Sequence, residues 1–242
     1  MAEINRSKGT TASEQYLARL ANRTFLNLWS YPNVYRDTVV NSRRAGKELC
    51  DLLVVCGDQV IIFSIKAVGW YENKGINIAW PRWYKRAIKK SAIQIRRAEA
   101  WINNFPDRIF LDPACTQPLP ISIPSAPSRT IHGVVISLGA HEACSKFFAG
   151  DSGSFMIAPS LVGDAHADPD SPGYSPFTIG DVDPSGSYIH VMNEVTLDIL
   201  MRELDTITDF TDYLDRKVAF VRSGRLGSAT GEEEMLAYYL TH

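Results

Sequence analysis

Apolar positions recur at i, i+3, i+4 and i+7 through residues 11–29, where Tyr16, Leu17, Leu20, Ala21, Thr24, Phe25 and Leu28 line one side of an amphipathic helix. Ser13 is the expected N-cap, and Glu14 falls in the first turn. Beyond Tyr31-Pro32 the period changes from helix to strand. Residues 34–40 read as a short strand, and two β-branched, apolar runs, 49–56 and 60–65, flank Gly57-Asp58 as the arms of a tight hairpin. A long helix is expected over residues 81–104, with Pro81 in its first turn. The segment 112–129 holds Pro113, Pro118, Pro120, Pro124 and Pro127, which exclude helix and central strand, so it reads as an extended connection. A strand at 131–138 follows. Short strands are expected at 154–158, 177–181 and 188–192, the last two paired across a turn at Asp183-Pro184-Ser185-Gly186. Helices complete the chain at 194–204, from Thr206 through Lys217, and from residue 231, where Glu232, Glu233 and Glu234 suit the helix dipole. That last helix stops abruptly, as in a short form or a piece of a longer chain. No internal repeat is present.

The long helix divides into two chemical sides. At 100° per residue, Arg82, Lys85, Arg86, Lys89, Lys90, Arg96 and Arg97 fall in one arc, opposite Tyr84, Ala87, Ile88, Ser91, Ile95, Ala98 and Ile102. A basic stripe of this kind positions a nucleic-acid backbone without reading sequence, or is a solvated helix face. The formal net charge of −2 shows that polyanion binding must come from such local segregation. Trp70, Tyr71, Trp80 and Trp83 cluster between hairpin and helix, either as core or as a platform for stacked bases.

With 242 residues and 45% hydrophobic content, the chain suffices for one substantial core with an extension. Cys50, Cys56, Cys115 and Cys144 form no CxxC pair, which favours reduced thiols over a disulfide framework or zinc ribbon. The first ten residues lack the apolar stretch of a signal peptide, and no run approaches a membrane span, so a cytoplasmic protein without membrane contact is expected. Walker and GxGxxG loops are absent, as is a GxSxG elbow, and Gly150-Asp151-Ser152-Gly153 echoes serine proteases in four letters only. Asp164, His166, Asp168 and Asp170 lack the EF-hand spacing and read as a solvated loop; His190 reads as a core histidine, and His132 and His141 flank a strand.

The hairpin brings Asp51, early in one arm, near Lys66 at the end of the other. A carboxylate and an ammonium at one sheet edge suit either a surface ion pair or the hydrolysis of a phosphodiester with a hard cation. Helix, three strands, helix, strand, with Glu14, Asp51 and Lys66 on the first helix, second strand and third strand, resembles the core of the PD-(D/E)xK, or restriction-endonuclease-like, nuclease superfamily. Gln94 stands where several of these families keep a glutamine. The resemblance implies an α/β fold, with residues 1–140 as the nuclease-like core and residues 141–242 as an α+β extension packed on it. It also implies Mg²⁺ or Mn²⁺ as cofactor, Asp51 as central ligand, Glu14 as auxiliary ligand and Lys66 as activator. DNA is the implied substrate, with RNA open, in a prophage or bacterial-defence setting and in a protein that often dimerises. Tyr213, Phe220, Tyr238 and Tyr239 are then either subunit contacts or core.

One position departs from the family pattern. Ser64 occupies the place of an acid two residues before the lysine, and a hydroxyl is a weak Mg²⁺ ligand. Either another acid, Glu14 or Glu48, supplies the oxygen, or the fold is catalytically degenerate and binds nucleic acid or a protein partner. Strict alternation places Ser64 and Lys66 on one face and Glu48 on the face opposite Asp51, which favours Glu14 unless a bulge intervenes.

Overall fold

A capping box opens the first helix, α1 (Ala12–Thr24). The Thr11 side chain accepts the Glu14 N–H while the Glu14 carboxylate reaches back to the backbone N–H of Thr11. Thr11 rather than Ser13 is therefore the N-cap, because the reciprocal bonds need an acid at the third helical position. The computed structural model describes residues 6–40 and 43–242; the opening of the chain read for targeting lies partly outside them. The predicted helix breaks at Phe25 into α1 and the short α2 (Leu26–Trp29).

Strand β1 (Ser30–Val40) runs antiparallel to β2 (Arg43–Cys56), and β2 antiparallel to β3 (Gln59–Ala67). Gly57, the first turn residue, has φ 58°, which glycine adopts without Cβ strain. Next come α3 (Ile76–Tyr84), a π-helical turn at Lys85–Lys89 and α4 (Lys90–Asn104). Pro81 lies inside α3 and not at its start, because the helix begins five residues earlier than the proline suggested. The rest of the chain forms β4 (Ile109–Phe110), β5 (Thr130–Leu138), α5 (His141–Phe147), β6 (Met156–Val162), β7 (Thr178–Asp181), β8 (Ile189–Met192), α6 (Glu194–Glu203), α7 (Ile207–Arg222) and α8 (Glu232–Thr241). No helix of the described residues is long and apolar enough to cross a membrane.

The fold is mixed α/β, with six strands in the order β4-β1-β2-β3-β5-β8. Pairing is antiparallel from β4 to β3 and parallel from β3 through β5 to β8. Strand β8 therefore belongs to the main sheet and does not pair with β7, contrary to the expected hairpin; β7 pairs in parallel with β6. All four residues of this edge strand are buried, as in a parallel sheet covered on both faces rather than a half-solvated hairpin arm.

Two cores cover the sheet. On one side Leu53, Val55, Val60 and Ile62 pack with Trp80, Trp83, Ile95, Ala98 and Ile102. On the other, Leu52, Val54, Ile61 and Phe63 pack with Leu17 and Ala21 of α1, with Phe25 at its end, and with Leu197, Leu200 and Phe210 of α6 and α7. Trp80 and Trp83 are wholly buried and stacked at 5.7 Å, and Trp70 packs on Trp83 and Phe177. These tryptophans are core, not a base-stacking platform. Tyr213 is likewise core, hydrogen-bonded to Glu232, which also pairs with the buried Lys217 and so ties α7 to α8. His190 is buried with neither ring nitrogen hydrogen-bonded, so burial holds its pKa well below the usual value.

Candidate active site

The β2–β3 ladder ends at the Leu52–Phe63 pair, and the Asp51 side chain replaces the next main-chain bond. Its Oδ2 accepts the Ile65 N–H at 2.6 Å. Gln94, projecting from α4, then links the three residues expected to act together. Its Oε1 accepts from Ser64 Oγ at 3.2 Å and from Lys66 Nζ at 3.3 Å, and its Nε2 faces Asp51 Oδ1 at 3.5 Å. Asp51, Ser64, Lys66 and Gln94 are thus brought together on the α4 side of the sheet, as strand alternation requires for the first three. Ser64 is fully buried and its hydroxyl is directed at Gln94.

Burial pushes the Asp51 carboxyl up to about 6 against the pull of the Ile65 N–H; Glu48 raises it further, Lys66 lowers it and Glu14 raises it. A neighbouring cation favours the charged form of such a group.

Glu48 is not where strict alternation placed it. The β1–β2 register passes from Val34–Cys50 to Tyr35–Glu48, leaving Leu49 as an extra residue. An extra residue reverses the alternation, and Glu48 lines the same cleft as Lys66 and Gln94. Behind it lies Asn33, wholly buried and left-handed at φ 48°, across the sheet from Asp51 between the Pro32–Leu52 and Val34–Cys50 pairs. Asn33 Nδ2 donates to Glu48 Oε1 at 3.0 Å and to Glu14 Oε2 at 2.9 Å, while its Oδ1 accepts from Ser7 Oγ at 2.7 Å. Burial alone would raise the Glu14 pKa, but hydrogen bonds from Thr10, Asn33 and Thr11 overcome it and hold the group at about 2.

The cleft holds about 500 Å³ and is lined by Arg36, Lys47, Lys66, Lys90 and Arg97, with Glu48 as its acid and Leu49, Ile93 and Ala98 as apolar wall. Only part of the predicted basic stripe reaches it. The predicted apolar side is buried from Tyr84 through the π turn to Ile102, but of the basic residues only Lys90 and Arg97 turn to the cleft. Lys89 pairs with Asp164, and Arg86 donates to the Tyr71 hydroxyl at 2.7 Å. Arg96 is anchored to Asp183 at 2.7 Å and Glu99 at 2.9 Å and donates to Ser187, which makes it a clamp on the β7–β8 connection. Arg82 and Lys85 are exposed but do not line the cleft.

Other sequence candidates are occupied elsewhere. His141 meets Glu194 at 3.2 Å, and His132 meets Gln59 at 2.8 Å. Among the described residues, no three His, Cys, Asp or Glu side chains form a ready-made metal group. Asn33, Arg36 and Lys47 were not marked by the sequence. The signal for Asn33 was Pro32-Asn33 within a strand, since asparagine tolerates the left-handed region and proline interrupts a ladder.

Compared with protein-family models, with curated proteins and with solved structures, the chain matches none.

Proposed function

We propose that the chain is a divalent-metal-dependent nuclease of the restriction-endonuclease-like kind, hydrolysing DNA phosphodiesters in the cleft beside α4. One observation carries the reading: a buried carboxylate, Asp51, and an amine, Lys66, are joined through Gln94 beside a cleft lined by five cationic side chains. The element order α1, β1–β3, α3–α4, β5 supports the same reading.

The donors fit a hard cation. Asp51 and a neighbouring acid offer carboxylate oxygens alone, and Mg²⁺ is commonly held by one or two carboxylates plus water and substrate phosphate. Such an ion, when bound, polarises a phosphoryl oxygen and lowers the pKa of water. The chain's own groups do the positioning. The Ile65 N–H fixes one Asp51 oxygen, and Gln94 sets the Lys66 ammonium beside that carboxylate, where it offsets charge developing on the phosphate. In the net reaction a water oxygen bonds to phosphorus, the P–O bond to the leaving sugar breaks, and the sugar oxygen takes up a proton. The remaining cations hold the backbone without reading bases.

The test is cleavage of plasmid, linear and single-stranded DNA, and of RNA, with Mg²⁺ or Mn²⁺. Lys66→Ala should lower DNA cleavage on the order of 10²–10³-fold while DNA affinity stays near that of the parent. Cleavage unchanged by Lys66→Ala and Asp51→Asn would overturn the site. DNA binding in the cleft without cleavage by the parent would favour the non-catalytic module that Ser64 suggests.

A further inference from the structure

We infer that Glu48 is the second carboxylate of this site, standing in for the acid that Ser64 lacks, and that Asn33 is its positioning residue. The inference rests on the nuclease reading and concerns which side chain completes it. Three oxygens compete for the role. The Ser64 hydroxyl is fully buried and directed at Gln94, so it is not presented to the cleft. Glu14 serves the start of α1, which packs on the opposite side of the sheet from α4, and its Oε2 accepts from Thr10, Thr11 and Asn33. Glu48 alone of the three lines the cleft that also holds Lys66 and Gln94, and its side chain is exposed there.

The device that puts it there is the extra residue at Leu49. With regular pairing Glu48 would face away from Asp51; the slip between Val34 and Tyr35 reverses it. Asn33 then restrains the carboxylate through Oε1, so that Oε2 is the oxygen available to a cation, while the other Asn33 donor bond reaches Glu14. An amide that is wholly buried in a left-handed conformation is costly to place, and here it joins two carboxylates from separate elements to a serine of the segment before α1. The cleft's acid therefore comes from β2 rather than from the residue two before the lysine on β3. That arrangement presents one carboxylate from each side of the Leu49 bulge, with Lys66 across from them on β3.

Mn²⁺ binding to the full chain, read by electron paramagnetic resonance without DNA, tests the assignment beside a plasmid-cleavage assay. Circular dichroism controls the fold. Glu48→Gln should weaken Mn²⁺ binding at least about tenfold and suppress cleavage, as Asp51→Asn does, with melting unchanged because the side chain is exposed. Asn33→Gly keeps the left-handed backbone accessible and removes the amide, and it should weaken Mn²⁺ binding while Glu48 remains. Glu14→Gln should bind Mn²⁺ like the parent and melt lower. If Glu48→Gln binds and cleaves like the parent while Asp51→Asn does neither, the Glu48 assignment falls and the nuclease reading stands. If Glu14→Gln, and not Glu48→Gln, loses Mn²⁺, the auxiliary ligand is Glu14 and the inference is overturned. A parent that binds no Mn²⁺ and cleaves nothing overturns both.

Discussion

His166 carries its proton on Nδ1, because that atom faces the Gly163 carbonyl at 2.7 Å, an acceptor only, while Nε2 accepts the Gly180 N–H at 2.8 Å. A second proton on Nε2 would oppose the Gly180 N–H inside a site with no exposed surface. Burial accordingly draws the pKa down to about 4, partly offset by the Gly163 carbonyl and by Asp181 and Asp164. The folded pKa lies below the unfolded value near 6.5, so the unfolded chain binds more protons between the two. Stability is then unaffected by this group above about pH 6.5 and falls as pH drops toward 4, by about 3 kcal/mol in all. Urea denaturation at pH 7.5 and pH 4.5 should show this loss in the parent and a smaller one in His166→Gln; equal losses would contradict it. The residue-scale chemistry was partly legible. Asp51, Ser64 and Lys66 share one face as strand alternation and hairpin register demanded, and Gln94, marked only by the family resemblance, meets them from α4. Asn33 and the displaced Glu48 were hidden because one extra residue changes parity, and parity is all that alternation encodes.

At the scale of elements, the line of the long helix on which a cation stands decides whether it serves the cleft. Extrapolation at 100° per residue holds for the apolar side, where Tyr84, Ala87, Ile88, Ser91, Ile95, Ala98 and Ile102 are all buried, but consecutive cations stand about 100° apart and so meet different partners. Lys90 and Arg97 line the cleft, whereas Lys89 and Arg96 are engaged by Asp164 and by Asp183 and Glu99. Charge reversal at Lys90 and Arg97 together should weaken DNA binding and reduce the slope of log K against log salt by about 2, one for each phosphate no longer neutralised. Arg96→Ala should leave that slope nearly unchanged and lower the melting temperature, since it releases the β7–β8 connection and unpairs half-buried carboxylates. Fluorescence anisotropy across a salt series, with melting curves for each variant, separates the two effects; a large slope change on Arg96→Ala alone would reverse the assignment.

Across the whole molecule, the sheet that carries Asp51 and Lys66 is completed by the far end of the chain. Strand β8 pairs in parallel with β5, from Gly133–Ile189 to Ile136–Met192, and α6 and α7 cover the face behind β3. This arrangement was not legible locally, because a parallel neighbour is reached through a long crossover and leaves no turn signature, whereas Asp183-Pro184-Ser185-Gly186 imitated a hairpin turn. Residues 141–242 supply Leu197, Leu200, Met201, Leu204, Phe210, Tyr213 and Leu214 to the core that holds Leu52, Phe63 and Val134. At roughly 2 kcal/mol for each such side chain, their contribution exceeds about 10 kcal/mol and matches the whole net stability of an ordinary domain. A chain ending at residue 140 should therefore lack a cooperative thermal transition and bind a hydrophobic dye, with β5 left as an unpaired edge. Proton–nitrogen correlation spectra of that fragment with dispersed, native-like amide shifts would show instead that the strands bearing the site fold without the segment that covers them.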